Sequence, residues 1–281
     1  MPDLTQRSLH RCFGGTVRFY EHDSREIGGR MRFSIFLPPQ AEQAKVPVLM
    51  YLAGLTCTDE TFMTKGGALQ EAARLGLALV APDTSPRDKR YPGDDANWDF
   101  GLGAGFYVDA TTAPWRDGYR MYSYASRELP LLAEREFPIE PTRWGIFGHS
   151  MGGHGALVIG LRNPERFKSV SAFAPIVAPM QSQWGKKAFA NYLGPNTEEW
   201  RAYDASELVN SGAKTAQILI DQALQDQFLG EQLKPELLEI ACTKAGQKLT
   251  LRRHAGYDHG YYFIQTFMAD HLAHHIRQWG G

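Results

Sequence analysis

No stretch of the 281-residue chain approaches 18 consecutive apolar residues, so the sequence offers no membrane-spanning helix. Neither sign of charge is in excess, with 30 basic residues against 31 acidic ones, and no cluster of Lys and Arg marks a phosphate-binding face. That balance excludes a global pull toward nucleic acid or an anionic membrane. Cysteine is scarce: Cys12, Cys57 and Cys242 cannot form a disulfide framework without a remainder, which fits reduced thiols in a cytoplasmic protein. The opening MPDLTQRSLHRCFGG lacks the apolar core of a secretory leader, and none is expected. No internal repeat, low-complexity tract or linker divides the chain, so residues 1–281 are read as one domain.

What is present is apolar sequence, 43% of the chain, enough for a substantial core. Residues 15–38 alternate apolar and polar side chains around Gly28-Gly29, which predicts an antiparallel strand pair. Short apolar runs follow at Val46–Leu52, Leu77–Ala81, Trp144–Phe147, Val170–Phe173 and Ile218–Ile220, and a last strand is expected at Leu249–His254. Helix-compatible segments separate several of them: Glu60–Leu75, Tyr119–Glu136, Met151–Asn163 and Gly230–Ala245, with a last helix from about Tyr261 to Trp279. Strands alternating with helices predict an α/β fold, a mostly parallel doubly wound sheet with an antiparallel N-terminal edge. Residues 83–116 and 175–200 show no clear period, and their Gly, Pro, Trp, Tyr and Asp suit the walls of a pocket.

Gly148-His149-Ser150-Met151-Gly152 matches G-x-S-x-G. The context gives the match its weight: a short apolar strand runs into it and a helix-compatible run leaves it, the strand–turn–helix order of an α/β-hydrolase nucleophile elbow. Gly148, Gly152 and Gly153 leave room for the strained turn. Ser150 is therefore the expected nucleophile. His149 and His154 flank it but are too close in sequence to reach its hydroxyl, and are read as packing around the elbow.

In this fold the acid and then the histidine follow the serine. His259 sits in the expected place, on the loop between the strand Leu249–His254 and the final helix. His254 falls within the strand, as a wall or surface residue. His271, His274 and His275 have i, i+3, i+4 spacing that could hold a metal, but a solvated helix face is expected instead, and no metal or organic cofactor is needed. Two carboxylates compete for the acid. Asp221 ends a strand and could tie the loop, whereas Asp226 lies in the loop and is preferred on that geometry. Asp258, beside the base, is read as a cap of the final helix. Ser150 would attack an acyl carbonyl, His259 would carry the proton, and Asp226 would orient the imidazole. The oxyanion donors are expected to be the N–H groups of Met151 and of Leu55, in the Gly54-containing loop after Val46–Leu52.

These segments together resemble the S-formylglutathione hydrolase (esterase D) family: AGLTCTDETF (53–62), WDFGLGAGFYVDAT (98–111), GHSMGGHGAL (148–157), WGKKAF (184–189), DQFL (226–229) and GYDHGYYFI (256–264). The resemblance carries Ser150, Asp226 and His259 over as the triad. It implies hydrolysis of S-formylglutathione to glutathione and formate, side activity on small esters, a thiol at Cys57 sensitive to thiol reagents, and a homodimer. A formyl group needs a small acyl pocket, for which Trp98 and Trp184 are candidates with Phe106 and Tyr107. Core packing is the plainer reading of the last two. Lys186 and Lys187 could attract glutathione carboxylates, though solvated surface lysines are expected. The chain departs from the family at Pro175–Gly185, where an Asn and a Cys-Pro pair are missing, so substrate preference is the most exposed expectation. Competing readings are a general carboxylesterase or acyltransferase of the same fold and, from another class, a non-catalytic binding module, which would be expected to lack a triad member.

Overall fold

The structure is a computed structural model that describes residues 4–280. One sheet takes nine strands: β1 (Thr5–Cys12), β2 (Gly15–Ser24), β3 (Gly29–Leu37), β4 (Val46–Leu52), β5 (Ala78–Pro82), β6 (Ile139–His149), β7 (Phe167–Phe173), β8 (Ile218–Ala223) and β9 (Leu249–His254). Their order across the sheet is β1-β2-β3-β5-β4-β6-β7-β8-β9. The first three strands and the β3–β5 pair are antiparallel, and the remaining pairs are parallel. The expected hairpin is β2–β3, but the outer edge is β1, which the alternation did not reveal. Its TQRSLHRC is exposed along most of its length and so carries no apolar face to read.

The central strands are continuous apolar runs because both faces are covered. Val48, Leu49, Met50, Ile146, Phe147, Val170 and Ile218 are fully buried. The helices are α1 (Thr61–Lys65), α2 (Leu69–Leu75), α3 (Met121–Ser123), α4 (Leu129–Glu136), α5 (Met151–Arg162), α6 (Gln183–Tyr192), α7 (Thr197–Trp200), α8 (Ala205–Asn210), α9 (Pro235–Ala245) and α10 (Tyr261–Trp279). The helix expected over Glu60–Leu75 is broken at Gly66-Gly67, and Gly67 adopts φ +68°. Residues 175–200, read as irregular, contain α6, whose Trp184, Ala188, Phe189 and Tyr192 form its buried stripe. Residues 83–116 hold only a terminal 3-10 turn, yet much of that segment is buried.

The winding places the site. β4 connects to β5 on one side, whereas β6 connects to β7 on the other, so the strand order reverses between β4 and β6. In such sheets the crevice outside the carboxyl ends of the two strands at the reversal is the natural ligand site. Registers keep these ends level: Leu52 pairs with Gly148, His149 with Phe173, Phe173 with Asp221 and Ala223 with His254. Four loops therefore emerge along one edge, carrying Gly54-Leu55, Ser150, Asp226 and His259.

Candidate active site

Ser150 stands between β6 and α5 with φ 57° and ψ −119°, a region costly for a side-chain-bearing residue. Its surroundings hold it there. The Ser150 N–H donates to the Phe173 carbonyl at 3.0 Å, and its own carbonyl accepts from the N–H groups of His154 (3.0 Å) and Ile176 (3.3 Å). The flanking positions must be glycine: a Cβ on Gly148 would lie 2.3 Å from the Gly152 carbonyl oxygen, and one on Gly152 would lie 1.9 Å from that of Leu52. Ser150 is buried, and its hydroxyl makes no side-chain hydrogen bond among the described residues.

Asp226 and His259 come together from the loops after β8 and β9. Asp226 Oδ2 lies 2.5 Å from His259 Nδ1, and its other oxygen accepts from the Phe228 N–H at 2.8 Å. The two loops are joined by the Gln225 N–H donating to the Tyr257 carbonyl at 2.9 Å. The Asp226 side chain is fully buried, whereas His259 keeps 13% of its side chain exposed. Its ring packs 4.4 Å from that of His149 and meets the edge of Phe228 at 5.0 Å. Asp258 accepts from the Gly260 N–H at 2.8 Å, closing the turn just before α10.

The rival carboxylate is occupied. Asp221 lies within β8, where both oxygens receive the Arg252 guanidinium at 2.6 and 2.5 Å, and His271 Nε2 approaches at 3.3 Å. Burial pushes the Asp221 carboxyl up, but hydrogen bonds from His271 and Arg252 outweigh it and hold the group well below the ordinary carboxylate range. The chain thus brings Asp226, not Asp221, to the His259 ring.

Opposite the elbow, no backbone carbonyl among the described residues accepts a hydrogen bond from the N–H of Leu55 or of Met151. Met151 opens α5, where the first N–H groups of a helix are free and the dipole favours negative charge. The Gly54 loop packs directly on the elbow, since a Cβ there would sit 3.2 Å from that of Ser150. Thr56 N–H donates to Gly103, and Tyr107 Oη donates to the Ala53 carbonyl at 3.0 Å, so the buried segment 83–116 braces this loop from below.

The remaining expected residues separate. Trp184 is buried and reaches His259 through Phe228, with ring centroids 4.7 Å apart. Trp98 is 55% exposed and packs at right angles to Trp184, with centroids 5.3 Å apart. Phe106 and Tyr107 are core residues. Lys187 is paired with Asp99 at 2.7 Å while its side chain stays partly exposed. Cys57 is half-buried, with Sγ 4.0 Å from Tyr261 Oη, and burial pushes its thiol up rather than activating it. His254, half-buried, stacks on Phe267 at 3.8 Å. His154 is buried, with Nε2 2.9 Å from the Phe106 carbonyl. At the departure 175–185, Ile176, Val177 and Ala178 are buried, and Ser182 caps α6 by accepting from Gly185.

The solvated face expected for His271, His274 and His275 is wrong. All three are buried against β7, bonded to Ser171, the Val170 carbonyl and Ser169 respectively. The polar letters of α10 disguised a face that packs on the sheet through hydrogen-bonded serines. Phe228 was also missed, although its place two residues beyond Asp226 was a usable signal.

The "Putative esterase" family model matches residues 24–274. The chain is 52% identical to S-formylglutathione hydrolase of Mus musculus over 276 residues, 98% of each chain. The Arabidopsis thaliana enzyme of that name is 52% identical over 277 residues, covering 98% of this chain and 97% of the other. The chain belongs to the S-formylglutathione hydrolase family. A solved S-formylglutathione hydrolase from Agrobacterium tumefaciens superposes with a TM-score of 0.96 at 48% identity, covering 98% of this chain and 99% of that one. The α/β-hydrolase fold of the S-formylglutathione hydrolases is thus the fold of this chain. No helix among the described residues is long and apolar enough to cross a membrane.

Proposed function

We propose that the chain hydrolyses S-formylglutathione to glutathione and formate through Ser150, His259 and Asp226, with small esters as secondary substrates. The observation that carries the reading is the 2.5 Å contact between Asp226 Oδ2 and His259 Nδ1, beside a serine in a strained elbow. Asp226 fixes the proton on Nδ1, leaving Nε2 as the acceptor. In this reading the hydrogen bond from Ser150 Oγ to His259 Nε2 forms as substrate binds, since the hydrogen bonds of free sites are often long. Ser150 Oγ attacks the formyl carbon while His259 takes its proton. The oxyanion is met by the N–H groups of Leu55 and Met151. His259 then protonates the departing sulfur, and glutathione leaves. Water, deprotonated by His259, attacks the formyl-enzyme; the bond from the formyl carbon to Ser150 Oγ breaks, His259 returns the proton to Oγ, and formate leaves.

Trp184 and Phe228 form the wall beside His259 in this reading, and Trp98 flanks the approach. The chain acts as one domain in the cytoplasm, where Cys12, Cys57 and Cys242, free in the structure, stay reduced. A homodimer is the expected assembly, to be checked by sedimentation. The reading is tested by comparing kcat/KM for S-formylglutathione with that for p-nitrophenyl acetate. The thioester is expected to be strongly preferred. Preference for the aryl ester would leave a serine hydrolase but make it a general carboxylesterase.

A further inference from the structure

His149 is an unusual neighbour for a nucleophile. It is 5% exposed, and neither ring nitrogen has a hydrogen-bond partner among the described residues. A buried imidazole is normally anchored by at least one such bond, and an unmade one is costly. Apart from a weak interaction with the His259 backbone, the contacts that hold the ring are those of its faces and edges. Those contacts belong to the site. Its centroid lies 4.4 Å from that of His259, at 45°, and 6.1 Å from that of Tyr261. Its Nδ1 would be 3.3 Å from a Cβ on Gly54, so the ring also fills the space that the missing side chain leaves. One side chain thus touches the elbow, the oxyanion loop and the base.

We propose that His149 is a positioning residue whose neutral aromatic ring holds the His259 imidazole and favours its protonated form during acyl transfer. The proposal rests on His259 being the base. A cation over an aromatic face within about 6 Å of its centroid is attracted by the ring, the more so where water is excluded. The His259 ring lies within that distance of His149, with centroids 4.4 Å apart and planes tilted by 45°. The opposite arrangement, a second cation at the same place, would oppose proton uptake. Burial, and then the charge of His259, push His149 well below its ordinary value, while the His259 carbonyl pulls weakly the other way. The ring therefore stays neutral as His259 charges. The other titratable groups around the pair are Asp226 from the β8 loop, Asp258 and Tyr261 flanking His259 in sequence, and Cys57 from the loop after β4. Burial keeps Tyr261 and Cys57 protonated, and Asp226 and Asp258 are common to every variant below.

The test is the pH profile of kcat/KM for p-nitrophenyl acetate, whose acid limb reports protonation of the base in the free enzyme. Loss of the aromatic face destabilises the imidazolium, so the base stays free to lower pH. His149→Leu is expected to move the acid limb down by about 0.5–1 pH unit and to lower plateau kcat about three- to tenfold, with KM unchanged. His149→Phe, which keeps a ring, is expected to hold the limb within about 0.2 units of wild type. His149→Met replaces the Leu variant if the latter does not fold. The proposal is overturned if the ringless variant keeps the wild-type limb, or if His149→Phe shifts as far. A parallel His259→Ala separates the two layers. Hydrolysis surviving in that variant removes the base assignment itself, whereas an inactive His259→Ala beside an unshifted His149→Leu removes only the inference about His149.

Discussion

Among the described residues two Asp–His pairs stand near a serine, and the proposed chemistry uses one of them. The first is Asp226–His259, proposed to act with Ser150, at the open carboxyl edge of the sheet. The second is Asp221–His271–Ser171, in which His271 Nε2 lies 3.3 Å from Asp221 and its Nδ1 2.8 Å from Ser171 Oγ. By side-chain contacts alone the second is the more complete, because the Ser150 hydroxyl is unbonded. Its other properties disqualify it. Ser171 lies within β7, fully buried, with regular strand pairing on both sides. Its hydroxyl is further engaged by His275 Nε2 at 2.9 Å, and His275 Nδ1 by Ser169 at 2.6 Å. Donors and acceptors alternate along this chain in one consistent order: His271 donates to the carboxylate, Ser171 to His271, His275 to Ser171 and Ser169 to His275. Arg252 neutralises Asp221. Every group is satisfied, so nothing is left to take a substrate's proton or face an oxyanion. The difference teaches that a triad is defined by what it leaves unmet: a strained serine, free N–H groups opposite it, and a histidine with one open nitrogen.

Substitutions can break this contrast. Ser150→Ala and His259→Ala should each cut turnover by about 10⁴-fold or more with melting temperature preserved, read by steady-state kinetics and calorimetry. Asp226→Asn should be milder, about 10²–10⁴-fold in kcat, because the imidazole tautomer and orientation are lost but the nucleophile remains. Asp221→Asn should lower kcat less than tenfold yet destabilise the fold by about 2–3 kcal/mol in urea titration, a value reduced from that of a sealed pair because Arg252 is partly exposed. If Asp221→Asn damaged kcat more than Asp226→Asn, the roles would be reversed. Because the Asp221 carboxyl is held below its ordinary value, its stabilisation is present above about pH 4 and fades as pH falls further. The stability gap between wild type and Asp221→Asn should therefore be constant near neutrality and shrink in acid. Ser171→Ala should be the mildest, about 1–2 kcal/mol of stability from unpairing two histidine nitrogens, with kcat within about threefold of wild type.

The proposed triad could be read from the sequence because each of its members follows a strand that the sequence marks. Ser150 could be read from the glycines that its turn requires, and His259 from its place between the last strand and the last helix. The choice between Asp221 and Asp226 turned on one being in a strand and the other beyond it. The buried string was illegible for the opposite reason. His271, His274 and His275 look hydrophilic, and only a structure pairs them with serines on β7. The edge strand β1 was lost because exposed on both faces it has no period, and α6 because Gly185 interrupts a stripe that Ser182 caps. Trp98 carried no sign of its exposure, since an exposed and a buried tryptophan read alike in a sequence.

The central claim is that Ser150, not the better-bonded Ser171, is the residue that becomes acylated. Peptide mapping by mass spectrometry after reaction with a fluorophosphonate tests it most directly. A single adduct on Ser150 is expected, lost in Ser150→Ala and retained in Ser171→Ala. An unlabelled Ser150 in the wild-type protein, or an adduct on another serine that tracks the loss of hydrolysis, would contradict the account.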